Sequence, residues 1–162
     1  MGTLQKRQSY LELLSCSEAE TRRIGFELGQ LVQAGDLILL IGELGTGKTC
    51  LVQGLAQGMG IAEPTPSPSF VLAREYRGRL PLYHLDFYRL GEKEVAELGL
   101  EDYLFAGGVC VVEWAERGLG LFPPEHLLLE LWHLGPGERR IRLSPRGERY
   151  ESLLSEFRRR WS

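Results

Sequence analysis

Two segments of the chain are apolar at every position. Leu37-Ile38-Leu39-Leu40-Ile41 and Val109-Cys110-Val111-Val112 show no polar alternation, as central strands buried on both faces of a sheet require. Elsewhere the pattern has a period. Ser9 to Leu14 partly alternates and predicts a short strand. Ser17-Glu18-Ala19-Glu20 has the form of a capping box. It opens a helix with Ile24, Leu28, Leu31 and Val32 on one face, ending near Gly35. Leu51, Val52, Leu55 and Met59 mark a second helix that stops around Gly58 to Gly60. The run Glu63-Pro64-Thr65-Pro66-Ser67-Pro68 lacks the backbone donors for helix or sheet and predicts a semi-rigid loop.

Past that loop, Phe70–Tyr76 and Leu80–Leu85 predict two strands joined by a turn at Arg77-Gly78-Arg79. Helical signals carrying Val95, Leu98 and Tyr103 run from 92 to 105. His126–Leu134 and Arg139–Leu143 alternate around Gly135-Pro136-Gly137 and predict a hairpin. Tyr150, Leu153, Leu154, Phe157 and Trp161 give a closing helix. No repeat, linker or low-complexity segment interrupts this order. It predicts one α/β domain over residues 1–162, a largely parallel central sheet flanked by helices with antiparallel additions.

Directly after the first apolar strand, residues 42–49 read Gly-Glu-Leu-Gly-Thr-Gly-Lys-Thr. This is the G-x-x-x-x-G-K-[ST] phosphate-binding loop, so the domain is expected to be a P-loop NTPase. Backbone N–H groups and the start of the following helix converge there on a polyphosphate. The expected nucleotide contacts are Gly42, Glu43, Leu44, Gly45, Thr46, Gly47, Lys48, Thr49 and Cys50. Lys48 is expected to reach the β/γ-phosphates and the Thr49 hydroxyl to ligate Mg²⁺. A P-loop also needs a carboxylate from another strand end. Asp86 ends Leu82-Tyr83-His84-Leu85 and Glu113 ends Val109–Val112, and ligands in open α/β sheets lie at the carboxyl ends of strands.

Composition narrows the nucleotide. The chain contains no asparagine, and the guanine-reading N-K-x-D element of small GTPases needs one, so ATP is the expected substrate. A net charge of −3 marks no general nucleic-acid binder. The apolar runs are far shorter than a membrane span, and no signal-peptide pattern is present. Cys16, Cys50 and Cys110 are widely spaced with no C-x-x-C, which suits reduced thiols in the cytoplasm.

Four motifs in register then resemble a family. Pro66-Ser67-Pro68-Ser69-Phe70, His84-Leu85-Asp86-Phe87-Tyr88-Arg89 and Val112-Glu113-Trp114 resemble the S-P-T-F/Y, H-x-D-x-Y-R and E-W motifs of the bacterial tRNA threonylcarbamoyladenosine biosynthesis ATPase, TsaE (YjeE). The P-loop is similar to that family's G-D-L-G-A-G-K-T, and Gly99-Leu100-Glu101-Asp102-Tyr103 to its G-I-x-D-Y segment. The likeness runs from about residue 17 to 124. It implies a slowly hydrolysing, Mg²⁺-dependent ATPase that acts with TsaD and TsaB partners. Together these place threonylcarbamoyl on the tRNA adenosine 3′ of the anticodon, with tRNA met through the complex.

The resemblance also implies roles for residues. Thr49 and Glu113 would hold Mg²⁺, and Asp86 would sit near the metal or orient the attacking water. Ser67 to Phe70, including Ser69, match a switch-like loop, and Thr21 would border the nucleotide. Trp114 would lie beside the nucleotide or a partner surface, or else serve as a core aromatic. His84 either steadies the switch, relays a proton, or is a packed core histidine; Arg89 meets phosphate, a partner, or a neighbouring acid. Glu43 and Ser69 depart from the family's Asp and Thr. Arg158-Arg159-Arg160 either touches RNA or an acidic partner, or complements the helix dipole. His126 and His133 read as structural.

Two other functions fit a P-loop. One is a small-molecule kinase with Arg139–Arg149 as an arginine lid. The other is a nucleotide-dependent binding module without significant catalysis. The adenine pocket stays open at this stage, with the 134–140 turn and the N-terminal residues as candidates.

Overall fold

The computed structural model describes residues 10–43, 45–68 and 72–161. The expectations for Leu44, Ser69 and Phe70, and for Ser9 in the first strand, lie outside the described residues. In chain order the elements are β1 (Leu11–Ser15), α1 (Glu18–Leu31), β2 (Leu37–Ile41), α2 (Lys48–Gly58), β3 (Ala73–Arg77), β4 (Pro81–Asp86), α3 (Glu92–Ala96), α4 (Glu101–Leu104), β5 (Val109–Glu113), β6 (His126–Gly135), β7 (Glu138–Arg146) and α5 (Glu148–Trp161).

The strands form one mixed sheet in the order β1-β7-β6-β2-β5-β4-β3. Strands β6, β2, β5 and β4 are parallel neighbours, while β7 and β3 run against them. The two fully apolar runs, β2 and residues 109–112 of β5, sit side by side in the middle of the sheet. Each of their faces has its own core. Ile38, Leu40, Val109 and Val111 pack under α1, α2 and α5. Leu37, Leu39, Cys110 and Val112 pack on the other face with Phe87, Val95 and Leu100. Burial on both sides explains the missing polar alternation.

Helix α1 starts as the sequence predicts. Ser17 accepts from Glu20 N at 3.1 Å, and Glu20 Oε2 accepts from Cys16 N at 2.8 Å. How α1 meets α2 was not predicted. Gly25 and Gly29 face the backbone of Leu51 and Leu55, and Gly54 and Gly58 face the carbonyls of Arg22 and Phe26. A Cβ at any of the four would overlap a main-chain carbonyl. The helices therefore pack backbone to backbone, and the first turn of α1 lies against the P-loop.

The helical signals over 92–105 become two short helices, α3 and α4, separated at Gly99, which takes a left-handed φ of +71°. One expectation fails. The Arg139–Arg149 segment is no lid. Its residues 139–146 belong to β7, which pairs with β1 on one side and β6 on the other, and 148–149 begin α5. A strand bonded on both edges does not swing over a substrate. The C-terminal arginines also have intramolecular partners: Arg158 bonds Tyr10 O, Arg159 pairs with Glu156, and Arg160 reaches Gln30 and Glu27. Among the described residues no helix is long and apolar enough to cross a membrane.

Two measurements check this packing. Gly54→Ala and Gly25→Ala should each destabilise the chain by about 1–3 kcal/mol through overpacking. Gly120→Ala, at a position with open space around it, should change urea stability by less than about 0.5 kcal/mol. Cys110 is buried and its thiol is pushed up to about 12 by desolvation, so the reactive thiolate is absent at neutral pH. Iodoacetamide at pH 8, followed by mass spectrometry, should label exposed Cys16 first and Cys110 only after unfolding.

Candidate functional site

The P-loop leaves the end of β2 and enters α2 through Gly47, whose φ of +100° only glycine adopts freely. A Cβ there would meet Arg139 Nε at 3.3 Å and Thr21 Cγ2 at 3.4 Å. One at Gly42 would sit 2.8 Å from Leu131 O and from Thr46 Oγ1. Inside the loop, Thr46 donates through Oγ1 to Glu43 O at 2.8 Å. The loop is thus a bare backbone surface held by its own side chains.

Lys48 begins α2 and is 5% exposed. Its ammonium donates to Gly42 O and lies 3.5 Å from the centroid of the Trp114 ring. Burial pushes its pKa below the usual lysine range, and the carboxylates of Glu116, Glu113 and Asp86 partly offset that. The next residue, Thr49, donates to Glu113 Oε1 at 2.9 Å, and the other oxygen of Glu113 is 2.6 Å from His84 Nε2.

Asp86 and Glu113 are register partners at the adjoining ends of β4 and β5, and both are 2% exposed. Asp86 Oδ2 accepts from Ser67 Oγ at 2.6 Å and Oδ1 from Tyr88 N at 2.8 Å. Buried carboxylates need such donors to stay charged. The proline loop is therefore tied to one acid and the P-loop helix to the other. Just past these strand ends, Trp114 takes φ +57° and its ring packs on Tyr88 at 4.9 Å between centroids.

These groups line one cavity of about 410 Å³. Gly45, Gly47, Lys48, Thr49, Cys50, Thr21, Ser67, Asp86, Arg89, Glu113 and Trp114 all reach it. Thr21 is not a surface residue of α1: it is 1% exposed and shares a 2.7 Å hydrogen bond with Ser15. His84 lies beneath the cavity, fully buried, so it is a core histidine and a site partner at once. Gly42, Glu43 and Thr46 border a separate groove with His133. His126 has its ring nitrogen 2.9 Å from Pro123 O. Sequence reasoning gave no role to Tyr88, Glu18 or Glu116, and it took Arg139 for part of a lid or base-reading turn. Tyr88 lies inside the His84–Arg89 motif. Arg139 reaches the P-loop only through the pairing of β7, which no local signal announces.

Among the described residues no group of three or more His, Cys, Asp and Glu forms a metal cage. Mg²⁺ at a nucleotide site does not need one, since it commonly takes one or two protein oxygens and completes its shell with phosphate and water. The Thr49 hydroxyl and Glu113 carboxylate, 2.9 Å apart, are two oxygens of the kind such an ion would take.

Known proteins resemble this chain over most of its length. The family model described as Threonylcarbamoyl adenosine biosynthesis protein TsaE matches residues 15–141. The tRNA threonylcarbamoyladenosine biosynthesis protein TsaE of Bacillus subtilis is 41% identical over 141 residues, 86% of this chain and 89% of that protein. Its namesake from Treponema pallidum is 41% identical over 132 residues, 81% of this chain and 98% of its own. The crystal structure of Bacillus subtilis YdiB superimposes with a TM-score of 0.85 at 35% identity, covering 95% of this chain and 97% of that one. With its P-loop, its paired strand-end acids and a match over most of its length, the chain belongs to the TsaE family.

Proposed function

We propose that the chain is a Mg²⁺-dependent, slowly hydrolysing ATPase of the cytoplasm that supports threonylcarbamoyl modification of the tRNA adenosine next to the anticodon. Its partners in this reading are TsaD- and TsaB-like proteins, with tRNA met through their complex. The observation that carries it is the pairing of donors and acids: Thr49 from α2 on Glu113, and Ser67 from the proline loop on Asp86. The family relationship supplies the tRNA context.

The glycines of the P-loop and the N-terminus of α2 would hold the phosphates, with Lys48 released from Gly42 O to reach them. Thr49 and Glu113 would hold Mg²⁺, which when bound neutralises charge on phosphate oxygens. Asp86, aimed by two donors, would orient the attacking water. Because Ser67 is bonded to Asp86, movement of the proline loop is felt at that carboxylate, which suits a switch that reports nucleotide state to a partner. The chemistry is positioning and charge stabilisation, with no covalent intermediate on the protein.

ATP hydrolysis by the purified chain should be slow, should stop with EDTA, and should rise when TsaD- and TsaB-like proteins and tRNA are added. Lys48→Ala should lower turnover at least about 100-fold through loss of a charge-stabilising donor. Asp86→Asn should lower kcat by about 10²–10⁴-fold. Hydrolysis that ignores the partners, forms no complex on gel filtration, or survives Lys48→Ala would contradict the proposal.

A further inference from the structure

Glu113 is almost wholly removed from water, and each of its oxygens has one donor: Thr49 Oγ1 on Oε1 and His84 Nε2 on Oε2. A carboxylate only accepts, so Nε2 carries the hydrogen of this bond. The ring's other nitrogen, Nδ1, is buried with no partner among the described residues. An unpaired buried polar atom is unfavourable, and Leu82 and Leu85 on the same strand show that apolar side chains pack there without that penalty. The imidazole at 84 is explained by the bond that Nε2 makes.

We propose that His84 is a positioning residue that acts through Glu113. Its Nε2–H fixes one carboxylate oxygen so that the other is presented to Thr49, which presets the Mg²⁺ end of the nucleotide site. The inference rests on the proposed role of Thr49 and Glu113 as the metal-holding pair. Strand register makes the arrangement rigid. His84 pairs with Val111 and Asp86 with Glu113 in adjacent parallel strands, so His84 and Glu113 are diagonal neighbours two positions apart on one face. Glutamate has three rotatable bonds, and without the histidine its second oxygen has lost its donor inside the core. The carboxylate then turns toward the cavity and away from Thr49. Outer partners of metal-holding groups commonly set metal affinity in this manner.

The test is a calorimetric titration of Mg²⁺ into the chain loaded with a non-hydrolysable ATP analogue. His84→Leu should raise the half-saturating Mg²⁺ concentration about 10- to 100-fold. His84→Gln, whose amide reaches as far as Nε2, should stay near the parent, and His84→Asn, which is too short, should resemble His84→Leu. In a Glu113→Gln background, His84→Leu should add little, because its route of action is already gone. Parent-like Mg²⁺ affinity in His84→Leu, equal affinities in the Gln and Asn chains, or full additivity with Glu113→Gln would each overturn the proposal. Where His84→Leu melts without cooperativity, the Gln and Asn pair decides alone. If the loaded parent chain takes up no Mg²⁺, the metal-site reading falls; a parent that binds Mg²⁺ beside variants that bind it equally well removes only the role of His84.

Discussion

The hydrogen bond between Thr49 and Glu113 joins the first turn of α2 to the end of β5, and the rest of the site is arranged around it. It forms only if α2 leaves β2 at one angle and β5 lies directly beside β2. The apolar runs meet the second condition. The glycine faces of α1 and α2 help with the first, because main chain packed on main chain leaves the helices little room to slide. Thr21 is carried to the cavity by the same contact.

Charge in the site is mixed. Lys48 lies under the influence of Glu116, Glu113 and Asp86, while Arg89 and Arg139 line the same cavity. A polyphosphate there would meet these cations together with backbone N–H groups and the α2 dipole. Backbone strain falls in the same place. The two non-glycine residues with left-handed φ among those described are Trp114 and Leu72. One follows Glu113; the other accepts from Asp86 N at 3.0 Å. Each such residue costs on the order of 1–3 kcal/mol and persists where surroundings over-determine it, commonly at functional sites.

Most of the sheet was legible in the chain because burial leaves a plain record. β2 and the first four residues of β5 are apolar, the closing hairpin alternates, and the Ser17 cap is written in four residues. What escaped depends on partners distant in sequence. Nothing near Arg139 says that β7 passes the P-loop, so an arginine-rich segment resembled a lid. Gly99 was visible, but not that its left-handed backbone would separate α3 from α4. The glycines at 25, 29, 54 and 58 are spaced by four on each helix, a signal that means close packing only once the helices are known to face each other. At the site, Asp86 and Glu113 were legible as strand-end acids. Their adjacency in register, and the histidine under Glu113, required the fold.

Thr49 and Glu113, if they hold the metal as proposed, do so as one pair beside bound nucleotide. Electron paramagnetic resonance of Mn²⁺, substituted for Mg²⁺, measures this directly. One Mn²⁺ per chain should be held tightly when the non-hydrolysable ATP analogue is bound, little without it, and that ion should be lost in Thr49→Val and Glu113→Gln. Tight Mn²⁺ binding that persists in both variants, or that does not depend on the nucleotide, would contradict it.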